Sequence, residues 1–276
     1  MAGSTLASEG EPISAAPGNP NDPAPAQRAP TDPAPSEFDP DWILFQGNGV
    51  LAVNKPAGLP VHRGTGHQIG LAEMIDEWAR LHPRILEIRA GKEVRPAHRL
   101  DLEASGVLLL GLTRPAARAV QEAFAAHAAE KRYLAVIAGP VDALGHLKGK
   151  VRSKLRGVVR HMVAELTYRR LAGDERLSLV EVTPIGGRTH QIRWLFARAG
   201  RPLAGDLRYG KPKPARQFLE KFATPFLLLH ARSVSLPASI LGAGRTIAAP
   251  VPETFLKVLE HKGWQVAQNL QETHHG

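Results

Sequence analysis

The chain has 276 residues, enough for one large domain or two small ones, and 43% of them are hydrophobic, so a sizeable core is expected. It has no cysteine, which rules out disulfides and thiolate metal sites, and its apolar runs, such as Val107-Leu108-Leu109-Leu110 and Phe226-Leu227-Leu228-Leu229, are far too short to cross a bilayer. The formal net charge of +9 is unevenly placed: residues 1–40 hold one base (Arg28) against six acids, leaving 34 bases against 20 acids, or +14, in the rest. A body this basic predicts a polyanionic partner, most simply nucleic acid.

Residues 1–40 are rich in Pro, Ala, Ser and Gly. Nine prolines and few large apolar side chains predict a disordered acidic tail that cannot offset the entropy of ordering. With no basic segment leading into an apolar one, no secretory signal is read, and a cytoplasmic protein is expected. The folded body is expected over 41–262, with 263–276 as a C-terminal tail.

Gly49 to Asn54 reads as a buried strand stopped by Lys55-Pro56-Ala57-Gly58. Ile69 to Leu81 has Leu71, Met74, Ile75 and Trp78 at helical spacing and ends before Pro83. Val107 to Leu112 is a short apolar strand. Arg114 to Ala129 is helical, with Pro115 suitably placed in its first turn. Lys131 to Ala138 alternates like a strand, and further strands are expected at Ala164–Leu171, Leu177–Thr183 and Phe226–Leu236. Helices are expected at Ile192–Ala199 and Pro252–His261. Strands that follow one another directly, with irregularly interspersed helices, predict an α+β fold with a mixed, largely antiparallel central sheet and flanking helices and loops.

Four segments could carry chemistry. His98-Arg99-Leu100-Asp101, followed by Ser105-Gly106, places ionisable groups on a loop before an apolar strand; from the residues alone an Asx-type charged turn is the preferred reading. Gly186-Gly187-Arg188-Thr189-His190-Gln191-Ile192-Arg193 offers close backbone approach and two guanidinium forks for phosphate or carboxylate, or else a plain glycine turn into a basic helix. Tyr133, in Lys131-Arg132-Tyr133, is either a base-stacking platform or a core tyrosine. Lys148 to Arg160 holds six bases and no acid; it reads as a loop that contacts an RNA backbone, or as a solvated charge run. No cluster suggests a metal site.

Taken together and in order, these segments resemble the RluA-type pseudouridine synthases. Val53-Asn54-Lys55-Pro56-Ala57-Gly58-Leu59 with Val61-His62 is similar to that family's first block, His98 to Asp101 with Ser105-Gly106 to its catalytic block, and Lys131-Arg132-Tyr133 to its Lys-x-Tyr block. Gly187 to Arg193, followed by Gly205-Asp206 and Tyr209-Gly210, resembles its last active-site block, and Leu228-Leu229-His230-Ala231 fits a later strand. The resemblance spans about residues 41–260. Ala104 and Gly186 stand where the family usually has threonine, and residues 1–40 are too short and Pro-rich for the S4 RNA-binding domain of many relatives.

The resemblance implies the pseudouridine synthase fold and a cofactor-free isomerisation: the uridine N1–C1′ bond breaks, the base turns, and it rejoins through C5. It assigns the essential carboxylate to Asp101, acting on sugar or base as nucleophile or on the ribose as base. It pairs Asp101 with Arg188, leaves Arg193 as the second choice for that pairing or else as a phosphate contact, and stacks Tyr133 on the target uracil. Arg99 would fill the space left by a flipped nucleotide, beside His98, while Lys154 and Arg156 hold the RNA backbone. Large-subunit ribosomal RNA is the leading expected target and transfer RNA the alternative, with the protein acting as a monomer. Two rivals are a non-catalytic RNA-binding or ribosome-assembly factor and a glycosidic hydrolase; the latter would need a second carboxylate, and Glu103 alternates away from Asp101 if the segment is extended. If basic residues hold the RNA backbone, affinity in a filter-binding titration falls at least about tenfold between about 50 and 200 mM salt; a flat response contradicts this.

Overall fold

A computed structural model describes residues 35–63, 69–83, 94–155 and 158–264. After a short 3-10 turn at Pro40–Trp42, the elements are β1 (Ile43–Gly47), β2 (Val50–Lys55), α1 (Leu71–Leu81), β3 (Arg95–Pro96), β4 (Ser105–Gly111), α2 (Arg114–Ala125), β5 (Glu130–Ala138) and β6 (Leu144–Leu155). Then follow β7 (Val158–Gly173), β8 (Leu177–Ile185), α3 (Gln191–Arg198), α4 (Pro212–Lys221), β9 (Leu229–Leu236), α5 (Ala238–Leu241), β10 (Arg245–Ala248) and α6 (Glu253–His261).

The strands form one sheet in the order β1-β2-β4-β9-β5-β8-β7-β6, with β3 added to β4 and β10 to β9. The β4–β9 pair is parallel and joins Ser105 to His230 and Gly106 to Ala231; the other pairs are antiparallel. The expected α+β architecture is the one observed. Strand alternation buries both faces of the sheet. Tyr133, Ala135 and Ile137 face one layer, with Leu108, Leu110 and the α1 and α3 side chains. Leu134 and Val136 face the other, against Phe218, Phe222, Phe255 and Val258 of α4 and α6, while Val107 and Leu109 meet Val120 of α2.

Several expectations shift. The packed body starts before Asp41: Phe38 is buried, edge-on to Trp42 and Trp78. The second helix stops at Ala125, not Ala129, because His127 turns left-handed and Ala128 N–H returns to Ala123 O. The basic run at 148–160 is not a loop through 155. Lys148, Lys150, Arg152 and Lys154 alternate with Gly149, Val151, Ser153 and Leu155, the period of a strand, and β6 pairs with β7 residue by residue. Its inner face packs beneath α3: Val151, Ala164 and Leu166 are buried, and a Cβ at Gly149 would lie 2.7 Å from the Trp194 ring. Helix α4 carries Pro212 at its start and Pro214 in its first turn, where proline needs no intrahelical partner.

Gly106 fixes the start of β4. Its φ is +109°, and a Cβ there would sit 2.2 Å from Ala231 O across the parallel pair. Gly106→Ala is therefore expected to lower unfolding free energy by roughly 2–4 kcal/mol, read from urea melts; a wild-type midpoint would contradict this account of the β4–β9 junction.

Candidate active site

Asp101 lies on the turn between β3 and β4. The segment is not extended: Ala104 N–H donates to Asp101 O at 3.2 Å, closing a tight turn before β4. Both Asp101 and Glu103 therefore reach the same side, a correction to the extended reading. The β2 exit holds this turn from below. Lys55, fully buried, donates to Pro56 O and Leu59 O at 2.8 Å each and to Leu102 O at 3.3 Å. Leu102 O also accepts Gly58 N–H at 2.8 Å. Burial pulls the Lys55 pKa down to about 7, with Asp101 and Glu103 opposing that shift.

From the other side comes α3, entered through the Gly186–His190 loop. Gln191 ties this loop to the sheet: its side chain donates to Glu165 O and Ile185 O and accepts Arg188 N–H. One turn into the helix, Arg193 is 1% exposed. Its Nε donates to Asp206 Oδ2 at 2.8 Å, its Nη2 to Asp206 Oδ1 at 3.0 Å, and its Nη1 to Glu103 Oε2 at 2.9 Å. The same Nη1 lies 3.7 Å from Asp101 Oδ2. Burial works against the guanidinium charge, but the hydrogen bonds and charge of Asp206, then Glu103 and Asp101, carry its pKa above the ordinary arginine range. Asp206, fully buried on the α3–α4 loop, also accepts the backbone N–H groups of Arg208 and Tyr209.

These loops border an open cavity of ≈ 180 Å³ whose wall includes Asp101, Arg99, Tyr133, Arg188 and His190. Tyr133 is buried, and burial followed by the charge of Asp101 pushes its pKa up, so its hydroxyl stays neutral. Lys131 donates to Gly186 O at 2.9 Å, and burial lowers its pKa to about 8. His190 puts Nε2 at 3.9 Å from Asp101 Oδ1 and Nδ1 at 3.0 Å from Tyr209 Oη.

The structure thus brings Asp101, Tyr133, Arg99, His98 and Arg188 to one cavity. It reassigns three of the roles expected from sequence. The arginine beside Asp101 is Arg193; Arg188 is exposed on the cavity wall and makes no ion pair with Asp101. Arg193 is too buried and too fully engaged to meet a phosphate. His98 is no cation either: burial first, then the charge of Lys131, lowers its pKa to about 3. Its Nε2 accepts Leu109 N–H at 3.0 Å and its ring meets Phe124 edge-on, so it braces the loop against β4. Lys154 stands in β6 opposite Val159, with its side chain outside the described part, and Arg156 lies outside the described residues. Lys55, His190, Asp206 and Tyr209 stand within the family-like blocks, and Glu103 is weighed only as a hydrolase's second acid, but nothing in the sequence assigns any of them a role in holding Asp101. Among the described residues no group of three or more His, Asp or Glu side chains is arranged to hold a metal ion, and no helix is long and apolar enough to cross a membrane.

The sheet that carries this cluster, and the sequence that folds into it, are similar to known proteins. Residues 49–198 fit the family model described as RNA pseudouridylate synthase, and the chain belongs to that family, in its RluA-type branch: it is an RNA pseudouridine synthase, an isomerase. It is 33% identical over 247 residues to tRNA pseudouridine synthase C of Salmonella typhi, covering 81% of this chain and 90% of that one. It is 32% identical over 232 residues to ribosomal large subunit pseudouridine synthase C of Escherichia coli K12, covering 80% and 69%. The solved structure of human RNA pseudouridylate synthase domain containing 4 superposes with a TM-score of 0.64 at 25% identity, covering 80% of this chain and 92% of that one.

Removing one partner of a buried ion pair strands the others. Arg193→Ala is expected to cost about 3–5 kcal/mol of stability and to abolish turnover, whereas Arg188→Ala shifts stability by no more than about 0.5 kcal/mol. Chemical denaturation of the two variants checks this; equal losses would sink the reassignment.

Proposed function

We propose that this enzyme isomerises uridines in transfer RNA, with Asp101 as the catalytic carboxylate. The observation that carries the choice of RNA is the extent of alignment. It spans 90% of the Salmonella typhi tRNA enzyme but 69% of the Escherichia coli ribosomal one, so nearly a third of the latter has no aligned counterpart. That reverses the order of targets expected from sequence alone.

For Asp101, support comes from its place on the cavity wall and from its neighbours. Asp206 and Glu103 hold Arg193 at 2.8–3.0 Å, whereas Asp101 stands 3.7 Å away and is the most exposed of the three carboxylates, at 16%. It is near a permanent cation without being captured by it, which suits a group that must stay ionised and act on sugar or base. In this reading the C1′–N1 bond of the uridine breaks, the base turns within the cavity, C1′ joins C5, C5 loses its proton and N1 gains one. Tyr133 stacks on the base with a neutral hydroxyl. Arg99, exposed at the cavity, fills the gap left by the flipped nucleotide, and Arg188 meets the RNA backbone at the rim. The basic β6 strand, with Lys148 and Lys150, lies along more of the RNA. In this reading the protein acts as a monomer, and an RNA substrate supports action in the cytoplasm.

Chemical mapping of pseudouridine in total RNA, with and without the gene, tests the reading. The expected result is a loss at one or more tRNA positions, restored by the wild type and not by Asp101→Asn, although that variant still binds RNA. A loss confined to large-subunit ribosomal RNA would replace the tRNA target, and full activity in Asp101→Asn would remove the catalytic assignment.

A further inference from the structure

His190 opens α3, and two local rules speak against it there. Its backbone is left-handed, with φ 52° and ψ 26°, where non-glycine residues are uncommon, although histidine is found there more often than most, as asparagine is. It is also the N-cap, where Ser, Thr, Asp or Asn would satisfy a free helix N–H, and its imidazole makes no such bond. Strained residues persist when their surroundings demand them, and they cluster at functional sites. The surroundings here are specific. The side chain is 13% exposed, with Nε2 3.9 Å from Asp101 Oδ1. On the other side, Nδ1 lies 3.0 Å from Tyr209 Oη, with the Tyr209 ring edge-on at 5.7 Å.

Resting on the reading of Asp101 as the catalytic carboxylate, we propose that His190 is a positioning residue for it: the Tyr209 hydroxyl donates to Nδ1, which leaves Nε2–H facing Asp101 Oδ1. The two oxygens of Asp101 are then addressed by different groups, Oδ2 by Arg193 and Oδ1 by His190. Both lines lead back to one anchor. Asp206 clamps Arg193 directly and accepts Tyr209 N–H at 3.0 Å, so the same buried acid sets the tyrosine that sets the histidine. Burial keeps the imidazole neutral: it lowers the pKa, Asp101 acts the other way, Arg193 and Arg208 lower it further, and Glu103 raises it. At 3.9 Å the neutral N–H is beyond hydrogen-bond length, so it biases the carboxylate as a dipole and leaves the oxygen free to react.

The test uses His190→Asn and His190→Gly in the full chain, beside the wild type and Asp101→Asn, on an RNA that the wild type modifies. Asparagine suits both the left-handed backbone and the N-cap, and glycine suits the backbone, which offsets the lost Tyr209 contacts. The expected result is a melting temperature within a few degrees of wild type, RNA affinity within about twofold, and a single-turnover rate lower by about 10- to 100-fold, the scale of a misplaced reacting group. Wild-type rates in both variants, with Asp101→Asn inactive, would overturn the role of His190 alone. Rate losses that merely follow a falling melting temperature would overturn it too, since they mean a structural residue. Turnover by Asp101→Asn would overturn the positioning together with the catalytic assignment on which it rests.

Discussion

One guanidinium, almost wholly out of water, holds this site together. Arg193 would be ruinously placed on its own, because burying an unpaired charge costs several kcal/mol even after relaxation. Three carboxylates from two loops make its position tenable: Asp206 through both oxygens, Glu103 through one, and Asp101 at longer range. In exchange, the arginine fixes the Asp101–Ala104 turn relative to the loop after α3. The cluster carries three acids to one arginine, and Asp101 and Glu103 also act on the buried Lys55. The negative excess falls on the carboxylate held least tightly, and that is the one facing the cavity.

The sheet explains why such a cluster can form. With both faces buried, the strands are stiff, and their ends present loops in defined positions. The turn from β3 into β4, the exit of β2 and the entry to α3 converge on one rim. Lys55-Pro56-Ala57-Gly58 reads in the sequence as a strand stop. In the fold it is a support, because the Leu102 carbonyl accepts from both Lys55 and Gly58.

Much of the fold was legible because burial leaves a period. Helix α1 shows it at Leu71, Met74, Ile75 and Trp78, while β5, buried on both faces from Tyr133 to Ile137, shows instead as an unbroken apolar run. Where charge masked the period, the element was lost: the lysines of β6 alternate as strictly as any apolar strand, but a run of bases draws the eye to charge. Helix α4 was hidden by two prolines that a first turn tolerates. The site was legible in part. Asp101, Tyr133 and Arg99 could be placed by their segments. The choice between Arg188 and Arg193 could not be made locally, since it depends on whether Asp206 folds back onto α3, and five residues in sequence do not record a partner thirteen positions on. Glu103 was misjudged for a related reason: two positions apart means opposite sides only if the chain is extended.

The distances along the chain between these partners bear on how the molecule comes to exist. Glu103 meets Arg193 across 90 residues, and Ser105 meets His230 across 125. Contacts of such separation carry a large loop-closure entropy and form slowly, after local helices and hairpins such as β6–β7 are in place. The parallel seam between β4 and β9 cannot be made until the chain has been synthesised past residue 231. The basic β6–β7 hairpin can therefore form on the ribosome well before the carboxylate cluster is assembled, and the reacting centre is among the last parts of the molecule to exist.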